Sequence, residues 1–158
     1  MQPEFKERMV IKQARIKDKA IINNLKSLHF HGFVSEEIKK RINTVLSPLS
    51  SYDAKPEKVI ITEADSEANI KNLENIIKEI QKDGRWLIPS PVYISNEWYE
   101  VEASSIKQGI KELFGLYVKD YFTVVLKEKE ILTDVFWDEE YNGIYSPDGV
   151  YCIFIKKI

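Results

Sequence analysis

The stretch Val150-Tyr151-Cys152-Ile153-Phe154-Ile155 decides the fold. In an extended chain successive side chains point to opposite faces. Val150, Cys152 and Phe154 therefore share one side, and Tyr151, Ile153 and Ile155 share the other. Both sides are apolar, so the strand is central and covered on each face. That arrangement requires helices packed on the sheet.

The neighbouring sequence supplies the partners of this strand. Tyr117–Leu126 and Ile131–Trp137 are β-branched and aromatic, and Lys127–Glu130 between them reads as a charged tight turn. Ser146-Pro147-Asp148-Gly149 carries a type I turn signal. Further upstream, Trp86–Ile88 is a short strand ending at Pro89. Val92–Ile94 and Trp98–Glu102 flank Ser95-Asn96-Glu97 as a three-residue hairpin, and Val59–Thr62 is a β-branched run.

Helical spacing dominates elsewhere. Phe5–Leu28 reads as a helix, with Ile21, Ile22, Leu25 and Leu28 in register; Asp18 could instead cap a helix that follows a strand over Val10–Ile16. Ser35 caps a second helix with the stripe Ile38, Ile42, Val45, Leu46, stopped by Pro48. The strongest stripe is Ile70, Leu73, Ile77, Ile80, opened by Asp65 or Ser66 and closed at Gly84. A short helix with Ile106, Ile110 and Leu113 starts at Ser104 or Ser105 and closes at Gly115. The expected class is α+β: a helix-rich N-terminal half packed on a mainly antiparallel sheet from the C-terminal half.

A chain of 158 residues suits a single domain spanning 1–158. It can bury roughly 68–70% of its unfolded surface, so neither disulfide nor metal is needed as a staple. Met9 offers an alternative start, which makes Met1–Arg8 readable as a flexible extension. The net charge of −2 argues against a general nucleic-acid binder, and the basic runs Lys39-Lys40-Arg41 and Lys156-Lys157 lie in separate elements. Cys152 is the only cysteine, so no internal disulfide forms. No apolar run reaches the length of a membrane span and no signal peptide is recognised, so the expected location is cytoplasmic. Lysine far outnumbers arginine and isoleucine is abundant, the composition of an AT-rich bacterial or phage genome.

Short catalytic signatures are absent: no Gly-x-Gly-x-x-Gly, no phosphate loop, no nucleophile elbow, no His-Glu-x-x-His, no Cys-x-x-Cys. No cofactor is implied. His29 and His31 would share a face in an extended segment, the spacing of a metal pair. The blander reading places them at a helix end capped by Gly32. Cys152 sits in an apolar strand and reads as structural rather than nucleophilic.

Met9–Leu25 (Met-Val-Ile-Lys-Gln-Ala-Arg-Ile-Lys-Asp-Lys-Ala-Ile-Ile-Asn-Asn-Leu) resembles the opening strand and first helix of the N-acetyltransferase superfamily. That resemblance implies a strand at Val10–Ile16 and an acetyl-transfer enzyme. The family's Gln/Arg-x-x-Gly-x-Gly/Ala loop for the pyrophosphate of acetyl coenzyme A has no counterpart here, and Ile60–Ala64 runs into an acidic helix start.

The most informative segment is Asp134–Asp148. Carboxylates at Asp134, Asp138, Glu139, Glu140 and Asp148 are interleaved with Phe136, Trp137, Tyr141 and Tyr145, and Asn142-Gly143 is a tight-turn signal. Aromatic anchors among charges are the composition of a protein-binding patch. The competing reading is a solvated acidic loop over buried aromatics. The leading expectation is a non-catalytic protein-binding module, such as an immunity protein, antitoxin or phage-type inhibitor. It would occlude one partner protein with a basic surface through Trp137, Asp138, Glu139, Glu140, Tyr141 and Tyr145. A small enzyme using scattered residues such as His29, Glu63 or Asp138 is the alternative. A nucleic-acid-binding regulator ranks third.

Overall fold

A computed structural model of the chain describes residues 2–49, 58–63, 66–92, 96–117, 121–141 and 144–158. Side chains are described for these residues except 49, 58–63, 66, 68, 69, 137–141 and 144–151. The elements in chain order are α1 (Pro3–Asn23), β1 (Leu28–Phe33), α2 (Glu36–Leu49), β2 (Lys58–Glu63), α3 (Ser66–Ile80) and β3 (Arg85–Pro89). They continue with β4 (Trp98–Ala103), α4 (Ile106–Leu116), β5 (Phe122–Leu126), β6 (Ile131–Tyr141) and β7 (Ile144–Lys157).

The fold is α+β. All seven strands join one antiparallel sheet in the order β1-β4-β3-β5-β6-β7-β2. The five middle strands come from the second half of the chain, and the two edges from the first. The alternation of β7 divides the core as its sequence predicts. Ile153 and Ile155 enter one cluster with Ile22 of α1, Leu73 and Ile77 of α3, and Ile110 and Leu113 of α4. Cys152 and Phe154 enter a second cluster with Ile42 of α2. Three helices thus cover one face and α2 covers the other.

Several expectations are corrected. Leu28 is not the end of the first helix: it opens β1, where the Glu112 carboxylate accepts hydrogen bonds from the backbone N–H groups of Lys26, Ser27 and Leu28 at 2.8, 2.8 and 2.9 Å. One side chain of α4 thus gathers the three backbone N–H groups at the entry to β1 and holds the chain there in an extended course. β4 pairs with β3, Pro89 opposite Trp98, and with β1 on its other side; residues 93–95 of the expected Val92–Ile94 hairpin arm and its loop lie outside the described residues. Ser146–Gly149 does not end a strand: it lies within β7 as an irregularity, where pairing with β6 jumps from Glu140–Tyr145 to Asp138–Val150. Pro48 lies inside the last turn of α2, and Gly115 lies inside α4, which Tyr117 closes. Gly84 matters for space: a Cβ there would stand 2.3 Å from the Ala103 carbonyl oxygen. Gly109 lets α4 lie directly on Trp86, whose ring would be 2.9 Å from an added Cβ.

Leu73 is 1% exposed at the centre of the larger cluster. Leu73→Ala is expected to cost about 2–5 kcal/mol, read as a lower midpoint in denaturant with an unchanged slope. Cys152 is fully buried on the α2 face. A thiol reagent should label it slowly in native buffer and fast in denaturant, and equal rates would contradict its burial.

Candidate functional site

The strand registers show where the acidic-aromatic segment goes. The last pair of β5 with β6 is Phe122 opposite Val135, and the last pair of β2 with β7 is Glu63 opposite Val150. Beyond those points β6 and β7 pair on alone: Glu140 opposite Tyr145 and Tyr141 opposite Ile144, after a register shift that follows the Asp138–Val150 pair. Among the described residues, Glu139–Tyr141 and Ile144–Gly149 therefore form a two-stranded ribbon past both neighbouring strands. Pro147 fits there, because an unpaired edge asks for no N–H. The side chains of Trp137, Asp138, Glu139, Glu140, Tyr141 and Tyr145 lie outside the described part, as do Asn142 and Gly143 altogether.

The start of the segment belongs to the core instead. Phe136 packs edge-on against Phe154, with centroids 4.9 Å apart. Asp134 is buried and its Oδ1 accepts a hydrogen bond from Thr123 Oγ1 at 2.8 Å. Burial pushes its pKa up to about 6, with hydrogen bonds from Thr123 and Tyr121 offsetting part of the rise. Asp134 is thus a core carboxyl, not a surface charge.

A second polar cluster sits at the same end of the sheet, where β1 finishes, β4 begins and the ribbon departs. Glu97 is 5% exposed. Its Oε1 accepts from Lys39 Nζ of α2 at 3.0 Å, and its Oε2 from Arg15 Nε of α1 at 3.1 Å. Lys39, also 5% exposed, pairs further with Glu36 at 2.5 Å. Burial alone would raise the pKa of Glu97, but the hydrogen bonds from Arg15 and Lys39 outweigh it and hold the carboxyl below its ordinary value. Burial likewise acts to lower that of Lys39, and its bonds to Glu36 and Glu97 raise it instead. Arg15 also lies 4.8 Å above the Phe33 ring.

One turn along α1, Asp18 is fully buried. It accepts from Ser90 Oγ at 2.7 Å, from the Tyr99 hydroxyl, and from the Val92 N–H at 3.3 Å. Desolvation, with the Asp18 bond and charge behind it, pushes the Tyr99 phenol well above its usual range. Between α1 and the start of α2 opens a cleft of about 650 Å³ whose lining includes Val10, Ile11, Lys39, Asn43 and Glu97.

None of these network residues was legible as a site. Asp18 reads as a helix cap, and Lys39 as part of the basic run Lys39-Lys40-Arg41. In the fold Lys39 is buried. Arg41 holds Glu130 bidentately at 3.1 and 3.0 Å, so that run latches α2 down instead of forming a basic face. His29 and His31 lie on the exposed side of edge strand β1, not at a helix end, and His31 Nε2 stands 2.8 Å from Glu102 Oε2. Gly32 falls at the register shift of β1 and not at a cap. His29 and Asp138 stand on strands separated by β4, β3 and β5. Glu63 and Asp138 both sit opposite Val150, one on each side of β7.

Met9–Asn23 is continuous helix, so the opening strand that the N-acetyltransferase resemblance implies is absent. No protein-family model, curated protein or solved structure matches the chain. No helix among the described residues is long and apolar enough to cross a membrane.

Removing Lys39 leaves Glu97 buried with half its compensation. Lys39→Ala should cost about 3–5 kcal/mol, whereas Lys39→Met with Glu97→Leu should cost clearly less, because no buried charge is left alone and Arg15, which loses Glu97, is 38% exposed. Equal melting temperatures for the two variants would contradict the network. Asp134 gives a pH signature. Below about pH 4 it is protonated in folded and unfolded chains alike, so its burial carries no charge penalty. As pH rises through about 6 the fold must hold a buried carboxylate and stability drops. The drop amounts to about 3 kcal/mol, at about 1.4 kcal/mol per pKa unit. Asp134→Asn should therefore gain on the parent protein between about pH 4 and pH 7. A pH-independent difference between the two melting curves would contradict this.

Proposed function

We propose that the chain is a non-catalytic protein-binding module, of the immunity-protein, antitoxin or phage-inhibitor kind, that occludes one partner protein through the β6–β7 ribbon. One observation carries the reading. The ribbon leaves the sheet beyond both β5 and β2; Trp137 and Asp138 stand at its base, where β2 still flanks β7, and Glu139, Glu140, Tyr141 and Tyr145 lie along it. No Lys or Arg occurs between Ile131 and Ile155. A two-stranded ribbon is marginal on its own in water, so docking on a partner is a natural source of its order. Its charge suits a partner with a basic surface.

The alternative, a small enzyme, is favoured by the cleft between α1 and α2, whose volume lies in the range of ligand sites. Its buried charges are committed to one another, however. Both oxygens of Glu97 are occupied, and Lys39 holds two carboxylates. Among the described residues lining the cleft, that leaves no buried base or amine poised for proton transfer, which favours the binding reading.

The test uses a partner captured from native lysate. Asp138→Lys with Glu139→Lys should slow association and flatten its dependence on salt, since rim charges act mainly on the on-rate. Tyr141→Ala should speed dissociation, with a loss of about 2 kcal/mol or more for a buried anchor and little change in salt response. Melting curves on the same variants provide the control. If Tyr141→Ala lowers stability and no substitution touches binding, the ribbon is only a solvated edge over buried aromatics.

A further inference from the structure

The same end of the sheet carries a second projecting element. Helix α1 has 21 residues. That is about 31 Å at 1.5 Å per residue, against about 20 Å for a six-residue strand such as β1 or β4. The excess lies at the N-terminal end, where Pro3–Gln13 are all exposed. The buried positions of α1 are Ala14, Asp18 and Ile22, one row at i, i+4, i+8. Phe5, Met9 and Ile16 fall on the opposite side of the helix, and they are 53%, 41% and 62% exposed. This helix is thus apolar on two sides, and only one is used within the chain. Around the unused stripe stand five exposed cations, Lys6, Arg8, Lys12, Lys17 and Lys19, against two exposed anions, Glu4 and Glu7.

The chain therefore projects two elements of complementary character from one end. The overhang of α1 is apolar and basic. The ribbon is aromatic and acidic, without a single cation. Within one copy α1 packs on β1, at the far edge of the sheet from β7. We infer that two copies associate end to end about a twofold axis, the ribbon of each lying along the Phe5–Met9–Ile16 stripe of the other. Because both elements leave the same end, a single twofold operation makes both contacts at once, and the assembly closes as a dimer. The stripe spans about 16 Å over eleven helical steps, which four or five ribbon residues match. The inference rests on the reading of the ribbon as a binding element and adds a regulatory consequence. The dimer masks the ribbon, and a foreign partner has to compete with a second copy for it.

The experiment is sedimentation of the purified chain from micromolar to millimolar concentration, with two charge-reversed variants. The expected wild-type result is a concentration-dependent rise from 18.5 kDa to twice that mass, weakened by salt. Asp138→Lys/Glu139→Lys alone, and Arg8→Glu/Lys12→Glu alone, should each weaken the dimer tenfold or more. Each then confronts like charges in its own homodimer. Mixing the two should restore association, because both contacts of the heterodimer are again between opposite charges. Ile16→Glu, at an exposed helix position, should give the same loss through the apolar stripe.

A wild-type chain that stays monomeric throughout overturns the inference, as does a dimer indifferent to both reversals. So does a monomer whose α1 variants instead abolish flotation with phosphatidylserine vesicles, which would make the stripe a lipid-facing surface. The underlying reading of the ribbon fails separately. It falls only if Asp138→Lys/Glu139→Lys and Tyr141→Ala also leave capture of a foreign protein unchanged.

Discussion

A sheet that is apolar on both faces must be taken out of water on both, and the rest of this structure follows from that requirement. The demand is met unequally. Among the described residues, one face receives α1, α3 and α4, and α2 is the one helix on the other. The crowded face is the larger cluster and tolerates close contact through Gly109 on Trp86. On the α2 face a single helix of 14 residues leaves polar positions beside apolar ones, and the Thr123–Asp134 pair lies on that side of β5 and β6. Covered from water there with the Thr123 hydroxyl as a hydrogen-bond partner at 2.8 Å, the Asp134 carboxyl has its pKa driven up by burial.

A lone helix on a face also needs lateral fixing, and charge provides it. Glu97 ties α2 through Lys39, and Glu130 ties it through Arg41. The Glu97 carboxylate does a second job by receiving Arg15, so it joins helices α1 and α2 at one end of the sheet. Replacing such buried pairs with apolar residues is often neutral, so the network adds little net stability by itself. Its effect is positional: Arg15 meets Glu97 while Asp18, one turn on, meets Ser90 and Tyr99, and that register sends the exposed N-terminal turns of α1 past the sheet.

The elements visible in the sequence were those whose evidence is local. The stripe Ile70–Leu73–Ile77–Ile80 is a period, and it became α3. The two-sided alternation of Val150–Ile155 is also a period, and it divided the core as read. Ser105 caps α4 by accepting from the Gln108 N–H, as its position before Ile106 suggests. What failed was decided by distant partners. Leu28 is taken from a helix into a strand because Glu112, 84 residues away, supplies acceptors for its N–H. Gly84 and Gly115 look like helix stops, yet Gly84 answers to Ala103 and Gly115 is simply passed through. The Glu97 network was invisible because its members come from three separate elements, and a lone Lys, Glu or Arg carries no spacing signal. Asp134 was grouped with surface acids because burial in a strand of mixed residues cannot be separated from exposure by sequence alternation alone.

The charges of the molecule sort into those committed and those still available, and the division bears on where a partner would dock. Asp18, Lys39, Arg41, Glu97 and Glu112 are each committed to named groups within the fold. Such groups gain nothing from a partner unless their internal bonds break, and breaking the buried Lys39–Glu97 pair would cost about 3–5 kcal/mol. The exposed cations of the α1 overhang carry no such commitment to the core: Arg8 and Lys12 lie on the outside, whereas Lys19, further along the helix, reaches the Phe30 ring at 5.1 Å. Exposed charges lose little by changing partner and can steer association over a Debye length. The overhang and the ribbon share one end of the sheet because antiparallel pairing fixes which end each strand leaves by. Binding capacity is therefore concentrated where the sheet has stopped and its packing constraints no longer apply.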